Sequence, residues 1–175
     1  RESFKTAGEW RIYENARNLI NEGTDPPKVI IDHGHEAGID VFLGFRFNDG
    51  HDHRLPGGLE DSNMSPIKKE NPNWLLGPGV GEYSKFAYNF AVPEVRRYRI
   101  DIVTETLDRY NLDGLDFDFC RWPVLFQPGQ GMDCAGYLTE MLRETRALLD
   151  SKGARIGRPL CFSVRVPYDL NETLR

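Results

Sequence analysis

The stretch Asn111–Pro123, NLDGLDFDFCRWP, decides the fold that the sequence predicts. Successive side chains of a β-strand point to opposite faces, so this stretch presents an apolar row and a row with two acids. The apolar row is Leu115, Phe117 and Phe119, and the opposite row is Asp116, Asp118 and Cys120. A protein interior tolerates acids only when they are paired, hydrogen-bonded or used. A strand with Asp116 and Asp118 near its carboxyl end therefore predicts a functional site.

Helical and strand patterns alternate along the rest of the chain. The patterns predict helices over 9–21, 25–37, 93–110 and 135–152, the last of them ended by Gly153. They predict strands over 39–47, 86–90, 114–119 and 160–166, and a single helical turn within 72–76 of a long irregular segment. Because crossover connections are right-handed, such an alternation predicts a parallel sheet buried by helices on both faces.

The absence of a glycine-rich phosphate loop after any strand disfavours a dinucleotide-binding fold. A (β/α)8 barrel, the TIM barrel, needs about 250 residues. We therefore predict an α/β fold that is a partial TIM barrel, with parallel strands alternating with helices. We expect residues 1–175 to form a single domain, about half of a barrel, cut at both ends from a larger protein that supplies the remaining barrel strands.

Composition excludes several classes of function. The net charge of −5 provides no basic surface for nucleic acid. No apolar run approaches the roughly 20 residues of a membrane helix. The three cysteines include no CxxC pair, so neither a disulfide framework nor a zinc cage is expected.

The run PEVRRYRIDIVTETLDRYNLDGLDFDFCRWP, residues 93–123, resembles the family-10-like glycoside hydrolases, a set of TIM-barrel proteins. IDHGHEAGIDVFLGFRFNDGHD, residues 31–52, and RVP, residues 165–167, are similar to earlier and later barrel strands of that set. The resemblance implies a barrel that acts on a poly- or oligosaccharide and needs no cofactor. A second similarity is to family 18 chitinases, whose D-x-x-D-x-D-x-E signature matches three aspartates here but meets Cys120 at the proton-donating Glu. That departure argues against chitinase-type catalysis.

The two acids suit glycoside cleavage, which needs a protonated acid and an ionised carboxylate. Two residues apart on one strand face, their Cα atoms lie about 6–7 Å apart, and mutual repulsion would separate their pKa values. We assign Asp118, nearer the carboxyl end, to catalysis as acid or nucleophile, and Asp116 to tuning or positioning. The second carboxylate is left open among Asp116, Asp49 and a residue on the other strands. The alternative is a structural pair of acids neutralised by Arg46, Arg121 or Arg165.

Polar and aromatic side chains after the strand ends are candidate substrate ligands. They are Arg46, Asn48, Asp49, His51, Arg121, Trp122 and Arg165. Trp122 could stack on a sugar ring, and Arg121 could hold a carboxylate. Asp113 is expected to be a turn residue, and Cys120 a small buried hydrophobe.

Two rival functions remain open at this point. A non-catalytic carbohydrate-binding barrel is suggested by Cys120 at the chitinase Glu position, and a metal-dependent hydrolase by the mixed cluster Asp49, His51 and His53. His33 and His35 are two apart on a helix and do not share a face, so we expect no metal there.

Overall fold

The computed structural model describes residues 7–50, 65–82 and 84–167. Its helices are α1 Ala7–Asn21, α2 Pro26–Glu36, α3 Pro66–Glu70, α4 Pro93–Arg109 and α5 Gly131–Ile156. Its strands are β1 Phe42–Arg46, β2 Gly114–Asp118 and β3 Cys161–Arg165. The strands form one parallel sheet in the order β1-β2-β3. This arrangement confirms the predicted α/β class, with helices between parallel strands as in part of a TIM barrel.

The core lies on one face of β2. Leu115, Phe117 and Phe119 are buried there, and the Phe117 ring lies 4.2 Å from the ring of Phe47 (between centroids) and 4.8 Å from that of Phe162. Rings at these distances pack as aromatic pairs and remove a large apolar area from water. Burying this row fixes the strand register, because a slip of one residue would turn the acids into the core.

Local signals in the sequence explain where two of the helices begin. Asp25 precedes α2, and its carboxylate accepts a hydrogen bond from the Lys28 amide at 2.8 Å, which satisfies a free N–H of the first turn. Prolines occupy the first positions of α2 and α4, where no amide hydrogen is needed. Among the described residues, no helix is both long enough and apolar enough to span a membrane.

The predicted strand over 86–90 is wrong. Ser84–Phe86 is a 3-10 turn, and Tyr88 makes an isolated antiparallel bridge to Leu75. The peptide groups of this segment bond to loops: the Phe90 amide donates to the Leu125 carbonyl at 2.9 Å. The segment lies against the loops that follow β1 and β2 instead of joining the sheet.

The predicted end of the last helix at Gly153 is also wrong. α5 continues through Gly153 to Ile156, and Gly157 ends it with a left-handed φ of 77°. A Cβ at Gly153 would lie 2.8 Å from the Arg158 carbonyl oxygen. The glycine therefore permits a close approach of the chain that leads into β3 rather than stopping the helix.

Candidate active site

The face of the sheet opposite the core carries the two acids of β2. Each acid lies beside its register partners on β1 and β3. Asp116 lies between Gly44 and Ser163, and Asp118 lies between Arg46 and Arg165. The side chains of β1 and β3 on this face are exposed, so the described segments leave it open. We call these six residues the polar face. Strand pairing thus brings three of the predicted site residues, Arg46, Asp118 and Arg165, into one row.

Asp116 is fully engaged by β3. Its Oδ1 accepts a hydrogen bond from the Ser163 hydroxyl at 2.5 Å, and its Oδ2 accepts from Arg165 Nε at 2.8 Å and Nη2 at 2.6 Å. Burial tends to raise the pKa of Asp116, but Ser163 and Arg165 outweigh it and hold the pKa below its usual range. Asp116 is therefore an ionised acceptor in this arrangement, and both of its oxygens are occupied.

Asp118 is buried, with 7% of its surface exposed, and its contacts differ from those of Asp116. Its Oδ1 accepts the amides of Cys120 at 2.9 Å and Arg121 at 3.1 Å, a turn that ends the strand. Its Oδ2 lies 3.6 Å from Arg165 Nη2. One oxygen thus fixes the backbone, and the other lies beside a guanidinium on the open face.

The predicted residues after β1 separate into two groups. Arg46, which is exposed, pairs with Asp49 at 3.1 Å. Asn48 is fully buried: its amide donates to the carbonyls of Tyr88 at 3.0 Å and Val124 at 2.6 Å, and its oxygen accepts the Tyr88 amide at 2.7 Å. These bonds join two loops and engage both the amide nitrogen and the oxygen of the side chain, as is usual for a buried polar group.

The rim beyond β2 holds an aromatic side chain in a constrained position. Trp122 has a left-handed φ of 61°, which is uncommon for a residue with a side chain. Its indole lies against Gly50, where a Cβ would be 2.9 Å from the ring. The Arg121 guanidinium lies 5.7 Å from the centre of the same ring. Cys120 is exposed, which contradicts the expectation of a buried hydrophobe.

The predicted metal cluster falls largely outside the described residues, since His51 and His53 are not among them. Within 7–50, 65–82 and 84–167, no three residues of His, Cys, Asp or Glu are grouped so that they could hold a metal ion.

Sequence reasoning missed two contributions. Ser163 was not predicted as a site residue, although it lies two positions before Arg165 and therefore on the same strand face. The second is at the opposite end of β2, where Asp113 is more than a turn residue. Its Oδ2 accepts the Val41 amide at 2.6 Å and lies 2.7 Å from His35 Nε2, and its Oδ1 pairs with Arg158 at 2.7 Å.

Comparison with known proteins finds similarity to one glycosyl hydrolase-like family and to relatives that are named glycosyl hydrolases. The family described as glycosyl hydrolase-like 10 matches residues 4–140, which include β1 and β2. Relatives named Glycosyl hydrolase DigH, from Escherichia coli strain K12 and from Shigella flexneri, are each 26% identical over 104 residues. The aligned part is 56% of this chain and 23% of each relative, so the chain spans under a quarter of their length. These matches support the first resemblance, and none of them is to a chitinase.

Proposed function

The chain belongs to the glycosyl hydrolase-like 10 family, and from this we propose that it is part of a TIM-barrel enzyme that hydrolyses glycosidic bonds in a poly- or oligosaccharide. The observation that carries the proposal is the position of Asp118. It ends the central strand on the polar face, between Arg46 and Arg165. TIM-barrel enzymes place their chemistry at the carboxyl ends of strands, which is where this carboxylate lies.

Asp118 is proposed to act as the nucleophile or base. Its described contacts are two backbone amides and a guanidinium, all of which are donors to a carboxylate. An ionised carboxylate is the form that attacks the anomeric carbon or activates a water. The oxygen beside Arg165 is the one not used by the turn, and we assign it to the reaction.

The proton donor is proposed to lie on strands outside these 175 residues. Asp116 has both oxygens occupied by Ser163 and Arg165, and Asp49 pairs with Arg46. Neither is suited to donate a proton to a leaving group. The three described strands supply fewer than half of a barrel of eight, and the chain spans 23% of its DigH relatives, which leaves ample length for a second carboxylate.

Sugar binding is proposed to use the rim beyond the strands. Arg46 and Arg121 are exposed donors, and the constrained ring of Trp122 offers a surface on which a sugar ring can stack. This chemistry requires a carbohydrate partner and no cofactor.

The test measures the release of reducing ends from a panel of soluble polysaccharides by the full-length protein. We expect the wild type to hydrolyse at least one member, and Asp118→Asn to lose about a thousandfold of that activity. Asparagine keeps an oxygen that can accept the amides of Cys120 and Arg121, so the turn is preserved while the charge is removed. The matched control is Asp108→Asn on the outer surface of α4, whose side chain is 65% exposed and whose activity should be unchanged.

Two results would overturn the proposal. Wild-type turnover in Asp118→Asn would remove that residue from the mechanism. Retention of a polysaccharide by wild-type protein that releases no reducing ends from any substrate would replace the enzyme with a carbohydrate-binding barrel.

A further inference from the structure

On the polar face, Asp116 of β2 links two residues of β3, Ser163 and Arg165. Ser163 donates to one oxygen of Asp116, and Arg165 donates twice to the other. Arg165 then reaches to 3.6 Å from Asp118. A serine at the middle of β3 is thus linked, through an acid on β2, to the guanidinium at the end of its own strand.

These contacts restrict side chains that would otherwise rotate freely. A carboxylate held at a single oxygen can turn about its χ2 torsion, which is broad. Asp116 is held at both oxygens, so its plane is fixed. Two donors of Arg165 then meet one fixed oxygen, which orients the planar guanidinium. Within the part of the chain that the structure describes, Nη1 of Arg165 has no partner, and the side chain is 58% exposed.

We propose that Ser163 is a positioning residue that acts through Asp116 to hold Arg165 beside Asp118, and that Arg165 donates a hydrogen bond from Nη1 to a substrate oxygen next to the bond that is cleaved. This inference rests on the proposed function for its substrate. The arrangement itself can be tested without one.

Charge and exposure favour this role over simple neutralisation. Arg46 of the polar face pairs with Asp49, so the carboxylates of Asp116 and Asp118 are left facing one guanidinium, that of Arg165, and a net charge of −1 remains. Residual negative charge suits the positive charge that develops on the sugar in the transition state. An exposed ion pair contributes only about 0–1 kcal/mol to stability, so stability alone gives little reason for a serine and an arginine to converge on one acid.

The first test follows the Asp116 carboxyl directly in the full-length protein. Its carboxyl carbon is titrated by NMR and assigned by its loss in Asp116→Asn. The low pKa of Asp116 depends in part on the Ser163 hydroxyl, so Ser163→Ala should move the midpoint upward. Ser163→Thr, which keeps a hydroxyl, should restore it. Cys161→Ala is the control, because Cys161 lies on the same face of β3 beside Gly114. An unchanged midpoint in Ser163→Ala would overturn the coupling.

The second test measures turnover against pH with a polysaccharide that the wild type hydrolyses. We expect Ser163→Ala to lower kcat/KM about tenfold and to shift the acid limb of the profile, with Thr restoring both and Cys161→Ala matching wild type. Wild-type kcat/KM and profile in Ser163→Ala would overturn the positioning role. If the wild type hydrolyses nothing, the proposed function fails together with the sugar contact of Arg165. The NMR titration still decides whether Ser163 acts on Asp116.

Discussion

Two aspartates of the segment that contains β2 each pair with an arginine, but the two pairs differ in what they connect. At the amino end, Asp113 contacts α2, the residue before β1 and the turn after α5. At the middle of β2, the Asp116 side chain has its described hydrogen bonds and ion pair with Ser163 and Arg165 of β3. The arginine side chains differ as well, since Arg158 is 35% exposed and Arg165 is 58% exposed. An aspartate–arginine pair therefore joins segments at the amino end of β2 and lines an open face further along the strand.

The amino-end contacts hold the starts of all three strands together. The Val41 amide, one residue before β1, donates to Asp113, which lies one residue before β2. Arg158 binds Asp113 and also donates to the Leu112 carbonyl at 2.9 Å, and it lies three residues before β3. Because three separate segments meet on one carboxylate, its removal leaves the Val41 amide without its side-chain acceptor and Arg158 without its carboxylate partner.

Replacing Asp113 should therefore produce the largest loss of stability. We expect Asp113→Ala to lower the free energy of unfolding by about 2–4 kcal/mol, less than for a fully buried pair because Arg158 is partly exposed. Chemical denaturation of the full-length protein measures the change. The comparison is Asp118→Asn, which keeps its bonds to the turn amides and should cost under about 1 kcal/mol. Equal losses in the two variants would contradict the division between a structural end and a functional end.

Two glycines of α5 allow a comparison of packing near Arg158, the partner of Asp113 at the amino end of β2. Gly153→Ala places a Cβ 2.8 Å from the Arg158 carbonyl oxygen, so we expect a loss of about 1–3 kcal/mol despite the better helix propensity of alanine. At Gly136 in the same helix, an added Cβ would meet no atom within 4 Å beyond the adjacent residues and backbone of the helix itself, and Gly136→Ala should gain about 0.5–1 kcal/mol. Thermal or chemical unfolding of both variants measures the difference. Equal effects would mean that the chain around Arg158 moves freely.

The sequence predicted the fold well because its strongest signals are local. The alternation around Asp116, the proline that begins α4 and the capping Asp25 each act over a few residues, and the structure retains all of them. The misplaced strand near Tyr88 and the early helix end at Gly153 had local signals too. The structure at both places depends on distant contacts that residue spacing does not reveal. The Tyr88 amide bonds to the Asn48 side chain, 40 residues earlier, and Gly153 lies close to the chain that follows α5.

The candidate site was predictable only in part, for the same reason. Alternation along one strand predicted that Asp116 and Asp118 lie on the same face, and Arg165 was named among their possible partners. Contacts between distant segments were missed: His35 and Asp113 are 78 residues apart. Asn48 was predicted as a ligand because polar residues after strands often are, and its burial and its bonds to two loops were not visible in the sequence.

The smallest expected effect is on the pH dependence of stability. Burial tends to raise the pKa of Asp113, but the Val41 amide, His35 and Arg158 together hold it below its usual range. Its folded pKa is therefore lower than its unfolded value of about 3.9. Such a group contributes stability that is present above about pH 4 and lost as the pH falls through the folded pKa. Denaturation at a series of acid pH values measures this. The free energy of unfolding should fall less steeply with decreasing pH in Asp113→Asn than in the wild type, by at most about 1.4 kcal/mol per pH unit.

Asp116, at the middle of β2, offers the same measurement, since its pKa is also lowered. Asp116→Asn should likewise flatten the acid decline. The two aspartates are three residues apart on an extended chain, about 10 Å, and share no partner among their described contacts. Their effects should therefore add in the double variant to within about 0.5 kcal/mol. A larger interaction energy would mean that the contacts of Asp113 also set the geometry of the polar face. The two aspartates would then have to be treated as one unit.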